Sequence, residues 1–228
     1  MTEPATQRLL TSFGRRKGRR LRTTKKGLVE TLLPKLQVQP EGDVAPVALL
    51  PEAYEYWLEV GFGGGEHLAH QARLHPHVGI VGCEPYINGM AELLRLVDEG
   101  GLTNIRIYND DMRLLIDRWP DACLSRIYML YPDPWPKMRH HKRRLLSTET
   151  LDRYARILKP GGTLQLATDD EDYATWMLER ALAHPHFTWQ AKRVSDWLNP
   201  PQNWLSTKYE KKALAAKRVP TYLAFTRS

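Results

Sequence analysis

Short apolar runs alternate with helical patterns along most of the chain. The apolar runs predict strands at residues 54–60, 78–83, 104–108, 126–131 and 163–167. Between them, apolar residues recur with the period of a helix at residues 66–74, 87–99, 112–119, 148–158 and 171–182. The pair Gly100-Gly101 ends one of these helices, and Lys159-Pro160-Gly161-Gly162 ends another. Alternation of this kind predicts an α/β fold, in which a mostly parallel sheet carries helices on both faces.

The two ends of the chain depart from this alternation. Residues 187–194 and 221–226 read as two further strands with a helical piece at 207–217 between them, which suits an antiparallel edge pair. The first fifty residues contain a dense run of basic side chains, at Arg15, Arg16, Lys17, Arg19, Arg20, Arg22, Lys25 and Lys26. We therefore expect a partly flexible basic arm and connector at 1–50 and one folded domain at 51–228.

Charge and cysteine content narrow the class of protein. The 228 residues carry a formal net charge of +7, which favours an anionic partner. The basic run is either a solubilising tail, an organellar address or an arm that lies on RNA phosphates, and its recurrence at 137–144 favours the arm. Two cysteines, Cys83 and Cys123, form neither a disulfide framework nor a metal spacing. With no membrane-spanning run or signal peptide, we expect a cytoplasmic protein without a membrane partner.

A glycine-rich turn follows the first predicted strand. It reads Glu59-Val60-Gly61-Phe62-Gly63-Gly64-Gly65, and glycines at this place let backbone N–H groups approach a ligand closely. A dinucleotide fingerprint needs a glycine three positions after Gly63, where Glu66 stands. The acid-x-Gly-x-Gly-x-Gly pattern instead resembles motif I of S-adenosylmethionine-dependent methyltransferases.

Acids also follow the second and third predicted strands. Glu84 is placed to accept from ribose hydroxyls, although nicotinamide enzymes have such an acid too. Asp110 and Asp111 follow the third strand, where methyltransferases commonly place an acid near the adenine amino group. Two structural interpretations stay open, because Glu59 can pair with a basic side chain and the two aspartates can cap the next helix.

The stretch 131–144 follows the fourth strand and reads Tyr-Pro-Asp-Pro-Trp-Pro-Lys-Met-Arg-His-His-Lys-Arg-Arg. Two prolines stiffen the backbone around Asp133, and Trp135 is placed either to stack on a base or to pack in the core. The basic side chains Arg139, Lys142, Arg143 and Arg144 suit phosphates, whereas Arg143 and Arg144 can equally pair with Glu149 or Asp152. The alternative to a nucleic-acid site is a proline-rich turn before a solvated basic helix.

This stretch is similar to the signature of the bacterial tRNA (guanine-N7-)-methyltransferases, without a departure across 132–144. The resemblance includes Ser12-Phe13-x-Arg15-Arg16-x-Gly18-Arg19, Leu58 to Gly63, Ala167-Thr168-Asp169 and Thr207-Lys208-Tyr209-Glu210. The last segment usually has Phe where this chain has Tyr209. The resemblance implies the Rossmann-like class I methyltransferase fold, with seven strands, and transfer of a methyl group from S-adenosyl-L-methionine to N7 of guanine 46 in tRNA.

The resemblance also implies roles for individual residues. The cofactor contacts would be Glu59, Gly61, Gly63, Glu84, Asp110 or Asp111, and Asp133, with Asp133 also catalytic. The tRNA contacts would be Lys137, Asp169, Thr207, Lys208, Tyr209 and Glu210. Guanine N7 carries no proton, so the reaction needs no general base, and carboxylates near the base favour the positive charge that develops on the purine.

Other functions fit fewer of these features. The alternatives are a methyltransferase for another base or a protein amide, a nicotinamide oxidoreductase and a non-catalytic RNA-binding relative. The basic segments argue against the protein substrate and the oxidoreductase, and the acids at 59, 84, 110 and 133 argue against lost activity. His67 and His70 share a helix face without a third ligand at a sensible spacing, so we expect no metal. The sequence leaves a monomer and a homodimer equally open.

Overall fold

The computed structural model describes residue 14, residues 16–39 and residues 41–228. The motif positions Ser12, Phe13 and Arg15 therefore lie outside the described residues. Within the described part, the structure is one α/β unit whose central sheet has seven strands.

The sheet places its strands in the order β3-β2-β1-β4-β5-β7-β6. Their bounds are β1 Glu55–Val60, β2 Val78–Cys83, β3 Ile105–Tyr108, β4 Leu124–Leu130, β5 Leu158–Thr168, β6 Phe187–Trp189 and β7 Thr221–Arg227. The first five strands are parallel, while β7 runs antiparallel to both β5 and β6. The chain order reverses between β1 and β4, so the ends of these two strands flank the crevice in which such sheets bind ligands.

Helices cover both faces of the sheet, as the alternation predicts. Their bounds are α1 Thr23–Thr31, α2 Leu33–Leu36, α3 Pro46–Leu49, α4 Glu66–Leu74, α5 Ile87–Gly100, α6 Met112–Ile116, α7 Thr148–Ile157, α8 Glu171–Ala183, α9 Ser195–Leu198 and α10 Lys208–Ala215. One hydrophobic cluster joins α2, α4 and α5 to the sheet, and a second joins α6, α7 and α8 to the opposite face. The predicted fold class is confirmed, and the edge strands pair antiparallel as expected.

The N-terminal segment contains helices that the charge pattern does not predict. Helix α1 packs against α5, and Leu33 and Leu36 of α2 are buried. The segment then runs beside the edge strand β3, where the Val38 N–H donates to the Ile107 carbonyl at 2.8 Å. An edge strand leaves a row of unpaired backbone groups, so this contact covers part of that edge.

Two strand boundaries differ from the predicted ones. Strand β5 begins at Leu158 rather than 163, because the chain is already extended where α7 ends. The turn in which Gly161 has φ +79° therefore lies within the strand's bounds. Strand β6 ends at Trp189, and the chain then turns into α9 instead of staying extended to 194. The other predicted strands and helices of the folded body agree with the structure to within a few residues.

Candidate active site

A cavity of about 740 Å³ opens at the C-terminal ends of the parallel strands. Its walls include the glycine turn after β1, the acids after β2 and β3, and the proline-rich loop after β4. Ligand cavities in proteins span about 300–1,000 Å³, so the cavity has the volume for a nucleoside-sized cofactor.

The glycine turn forms one wall of this cavity. Gly61 and Gly63 line it with φ of +68° and +56°, a backbone conformation that residues with a Cβ adopt only under strain. A Cβ at Gly61 would have no atom within 4 Å, so the backbone there faces open space. The chain leaves the turn directly into α4, which begins at Glu66.

Glu84 is held against the glycine turn. Its carboxylate accepts from the Gly63 N–H at 2.8 Å and from the Tyr86 N–H at 2.9 Å, and only 8% of the residue is exposed. Burial raises the pKa of Glu84, the two backbone donors oppose that rise, and the negative charge of Asp133 adds to it. Each carboxylate oxygen keeps a second lone pair, with which it can accept from a ligand hydroxyl.

Asp110 and Asp111 both line the cavity, but they are bound differently. Asp111 caps α6 by accepting from the Arg113 N–H, and its carboxylate also pairs with the Arg113 guanidinium at 2.6 Å. Burial disfavours its ionisation, yet the hydrogen bonds and charge of Arg113 outweigh burial and lower the pKa of Asp111. Asp110 instead accepts from Arg16 at 2.6 Å and is one-third exposed. Asp111 thus has a structural role as a helix cap and ion-pair partner, and the side chain of Asp110 is the more accessible of the two.

The Arg16 contact brings the basic N-terminal segment to the rim of the cavity. Its carbonyl accepts from the Ile87 N–H at the start of α5, and the Gly18 N–H donates to Asn88 at 3.0 Å. A Cβ at Gly18 would lie 2.2 Å from the Tyr86 hydroxyl, so a larger residue there would require the Tyr86 side chain to move.

The proline-rich loop after β4 carries Asp133, which lines the cavity opposite the glycine turn. Tyr131 and Trp135, on either side of it, have φ of +52° and +46°. Left-handed backbone at a residue with a Cβ costs of the order of 1–3 kcal/mol and occurs mainly at functional sites. The loop therefore holds Asp133 in a strained but defined position.

Arg144 lies beneath this loop, which overturns the expectation that it binds phosphates. Its side chain is fully buried, and its Nε donates to the Pro134 carbonyl at 2.8 Å. The guanidinium also pairs with Asp172 on α8 and lies 4.9 Å from the ring centres of Tyr173 and Trp176. For Arg144 the alternative pairing with Glu149 or Asp152 is wrong as well, because its partner is Asp172 on α8.

Trp135 is partly exposed and lines the cavity. The Arg143 guanidinium lies 5.0 Å from its ring centre, and His140 meets it edge-on at 5.9 Å between ring centres. Lys137, Arg139 and Lys142 are exposed around it. The indole is therefore a rim residue rather than a core residue, surrounded by cations.

Glu59 is buried and is not among the residues that line this cavity, so its contact with the cofactor stays a prediction. Side chains alternate along a strand, so Glu59 shares the face of Trp57 and points under α4. There it pairs with His67 Nδ1 at 2.7 Å, and both residues are at least 97% buried. Glu59 does have a structural partner, as one interpretation of the sequence allowed, but that partner is a histidine.

The predicted tRNA contacts also separate into exposed and occupied residues. Asp169 follows β5, beside β4 as expected, but its carboxylate accepts from Arg218 at 2.5 Å. Thr207 caps α10 by accepting from the Glu210 N–H. Glu210 is 3% exposed and accepts from Trp204 at 2.6 Å and Tyr222 at 2.9 Å. Lys208 is exposed, and Tyr209 lines the cavity.

Sequence reasoning missed the partners of three of the predicted acids and of Arg144. The pairs are Arg16 with Asp110, His67 with Glu59, Arg218 with Asp169, and Asp172 with Arg144. Only His67 had a local signal, since it lies in the first helix after Glu59. The other partners come from distant parts of the chain, which no spacing rule brings together.

Within the described residues, no cluster of three or more His, Cys, Asp or Glu side chains is arranged to hold a metal ion. No helix among those residues is both long and apolar enough to span a bilayer.

This sheet order, with β7 antiparallel to its neighbours β5 and β6, is that of the class I methyltransferase fold. Two solved structures have the same fold. The 16S rRNA methyltransferase KamB superposes with a TM-score of 0.57 over 78% of this chain and 90% of its own, at 18% identity. A 16S rRNA (adenine(1408)-N(1))-methyltransferase variant from Catenulisporales acidiphilia gives 0.53 over 83% and 91%, at 17% identity.

Sequence comparisons narrow the class to a family. Residues 54–222 match the family described as putative methyltransferase. The tRNA (guanine-N(7)-)-methyltransferase of Rhodospirillum rubrum is 45% identical over 94% of this chain and 87% of its own. That of Agrobacterium fabrum is 45% identical over 100% of both chains. The chain belongs to the tRNA (guanine-N7-)-methyltransferase family.

Proposed function

We propose that this protein transfers a methyl group from S-adenosyl-L-methionine to N7 of a guanine in tRNA, at position 46. The observation that carries the proposal is that Asp133, on a strained loop, shares one cavity with the glycine turn and Glu84. We infer the substrate from the names of the relatives given above, and the basic surface around Trp135 suits the phosphates of tRNA.

The residues of the cavity fit the cofactor. The open space beside Gly61 accommodates a close ligand, and Glu84 is fixed by two backbone donors with lone pairs left for ribose hydroxyls. Both aspartates pair with an arginine, and we assign Asp110 to the adenine amino group because its side chain is 33% exposed, against 9% for Asp111. When bound, the cofactor supplies an electrophilic methyl group. Glu59 supports this wall from behind, because it lies in β1 one residue before the strand ends and pairs with His67 on α4.

The chain's own residues position the guanine and stabilise the charge that the transfer creates. N7 would form its bond to the methyl carbon with its lone pair while the carbon–sulfur bond of the sulfonium breaks and leaves a neutral thioether. No side chain has to remove a proton, and the positive charge passes to the purine. Asp133 lines the cavity, and in our proposal its carboxylate stabilises that charge more strongly in the transition state than in the ground state. Trp135 at the rim provides a ring on which a base can stack, a contact that contributes about 1–3 kcal/mol.

One assay tests the proposal directly. The protein is incubated with methyl-labelled S-adenosyl-L-methionine and unmodified tRNA, which is then digested to nucleosides. We expect 7-methylguanosine to appear, and to be lost when guanine 46 of the transcript is replaced by adenine. A different methylated nucleoside, or label that persists on the replaced transcript, contradicts the proposed product or position.

Cofactor affinity is expected to fall at mildly acidic pH. Because the pKa of Glu84 is raised, this acid takes up a proton at a higher pH than an ordinary glutamate, and a protonated carboxyl accepts fewer hydrogen bonds. Glu84→Gln should bind the cofactor about ten- to a hundredfold more weakly at neutral pH and lose most of the pH dependence. Calorimetric titration with S-adenosyl-L-methionine between pH 5 and 8 measures both effects. An affinity of E84Q that still follows the wild-type pH curve contradicts the assignment.

Binding of tRNA is expected to weaken steeply with salt. For a protein that neutralises about four phosphates, raising the salt from about 50 to about 200 mM lowers affinity about a hundredfold. Replacing exposed Arg139 and Lys142 together by alanine should reduce the slope of log affinity against log salt by about two. Filter binding over a salt series measures the slope. The control is exposed Lys35→Ala on α2, and an equal slope in all three proteins contradicts a phosphate role.

A further inference from the structure

The segment that begins α10 is anchored from below by a buried carboxylate. Glu210 accepts from the Trp204 indole and the Tyr222 hydroxyl, and Thr207 caps the helix by accepting from the Glu210 N–H. The hydroxyl of Tyr131, at the start of the Asp133 loop, lies beside the same group. Burial raises the pKa of Tyr131, and Tyr222 and Glu210 raise it further. The segment is thus fixed to the sheet next to the candidate active site.

This anchor holds the preceding residue, Tyr209, over the glycine turn. The ring of Tyr209 lies so close to Gly63 that a Cβ at Gly63 would be 2.8 Å from the Tyr209 Cε2 atom. Tyr209 lines the cavity together with Glu84 and Asp133, and 52% of it remains exposed. A half-exposed aromatic ring over a ligand cavity has area that a bound ligand can cover.

The surroundings of Tyr209 suit a cofactor that carries positive charge. Burial raises the pKa of its hydroxyl, and the negative charges of Glu84 and Asp133 raise it further, so the phenol stays neutral. The face of a neutral aromatic ring attracts a cation. Tyr209 itself carries no positive charge with which to bind a phosphate. Its neighbour Lys208 is exposed.

We propose that Tyr209 covers the bound cofactor, closing the cavity over the glycine turn, rather than contacting tRNA. This inference rests on the proposed function, and it reassigns a residue that the resemblance places on the RNA side. The ring is the part that makes the contact. The phenylalanine usual at this position would serve equally well.

The test is calorimetric titration of the full-length, RNA-free protein with S-adenosyl-L-methionine. Tyr209→Ala should bind the cofactor about tenfold more weakly, because the ring contact is lost. Tyr209→Phe should stay within about twofold of the wild type, since the ring is retained. Lys211→Ala, at an exposed position about one turn further along α10, is the matched control and should bind as the wild type does.

Filter binding of tRNA in the absence of cofactor completes the test. Tyr209→Ala should bind tRNA as the wild type does, and equal thermal unfolding midpoints should show an intact fold. Cofactor affinity unchanged in Y209A, or a loss of tRNA affinity alone, overturns the assignment of Tyr209. A tenfold loss in Y209F overturns the role of the ring. Wild-type protein that binds no cofactor overturns the proposed function itself, so the two failures are distinguishable.

Discussion

The Asp133→Asn variant should transfer methyl groups to tRNA about a hundred- to a thousandfold more slowly than the wild type at saturating substrates. Asparagine keeps the size of the side chain and removes its charge. Asp133 lines the cavity on a loop whose backbone is held on both sides, so the charge is lost without a rearrangement. Because that charge stabilises the positive purine in the transition state, the loss should fall mainly on kcat.

The matched control is Asp98→Asn, an exposed aspartate near the end of α5. It changes the net charge of the protein by the same amount, so it reports any long-range effect of charge on tRNA affinity. Single-turnover kinetics with labelled cofactor separate the chemical step from binding. A wild-type chemical rate in D133N removes Asp133 from the reaction.

The Arg144→Met variant should lose about a hundredfold in kcat although Arg144 touches neither substrate in our assignment. Methionine retains much of the length but cannot donate to the Pro134 carbonyl or pair with Asp172. Without this donor the loop that carries Asp133 loses its support, and a displacement of about 1 Å at a reacting group costs about a hundredfold in rate. Arg144 is therefore a positioning residue.

Stability should fall together with the rate. Loss of a buried hydrogen bond and of the packing against Tyr173 and Trp176 costs about 2–3 kcal/mol, which lowers the unfolding midpoint by roughly 5–10 °C. Arg139→Met, exposed in the same basic stretch, is the control and should weaken tRNA binding while leaving kcat and the midpoint unchanged. If R144M loses tRNA affinity and keeps kcat, Arg144 is a phosphate contact after all.

The contrast between Arg139 and Arg144 shows how far the sequence reaches. The periodicity of apolar residues predicts the sheet and its helices, because burial on two faces of parallel strands leaves a direct trace in the chain. Acids after successive strands also predict the position of the cavity. A run of like charges, however, looks the same whether its members face water or the core.

Glu59 and Glu210 illustrate the same limit for the candidate site. Their place in a motif indicates functional importance, whereas their direction depends on partners that come from other elements. Glu59 turns to a histidine on α4, and Glu210 to an indole and a phenol. Tertiary packing decides such contacts, and neither local propensity nor spacing contains it.

The left-handed residues around Asp133 affect how much conformational entropy is lost when a substrate binds. Pro132 and Pro134 fix their own φ angles, and Tyr131 and Trp135 sit in a region of backbone space that few conformers share. The backbone that carries Asp133 thus has little conformational entropy to lose when a base binds. The loop loses this entropy during folding. Binding energy from the rest of the RNA is therefore not needed to order the backbone around Asp133.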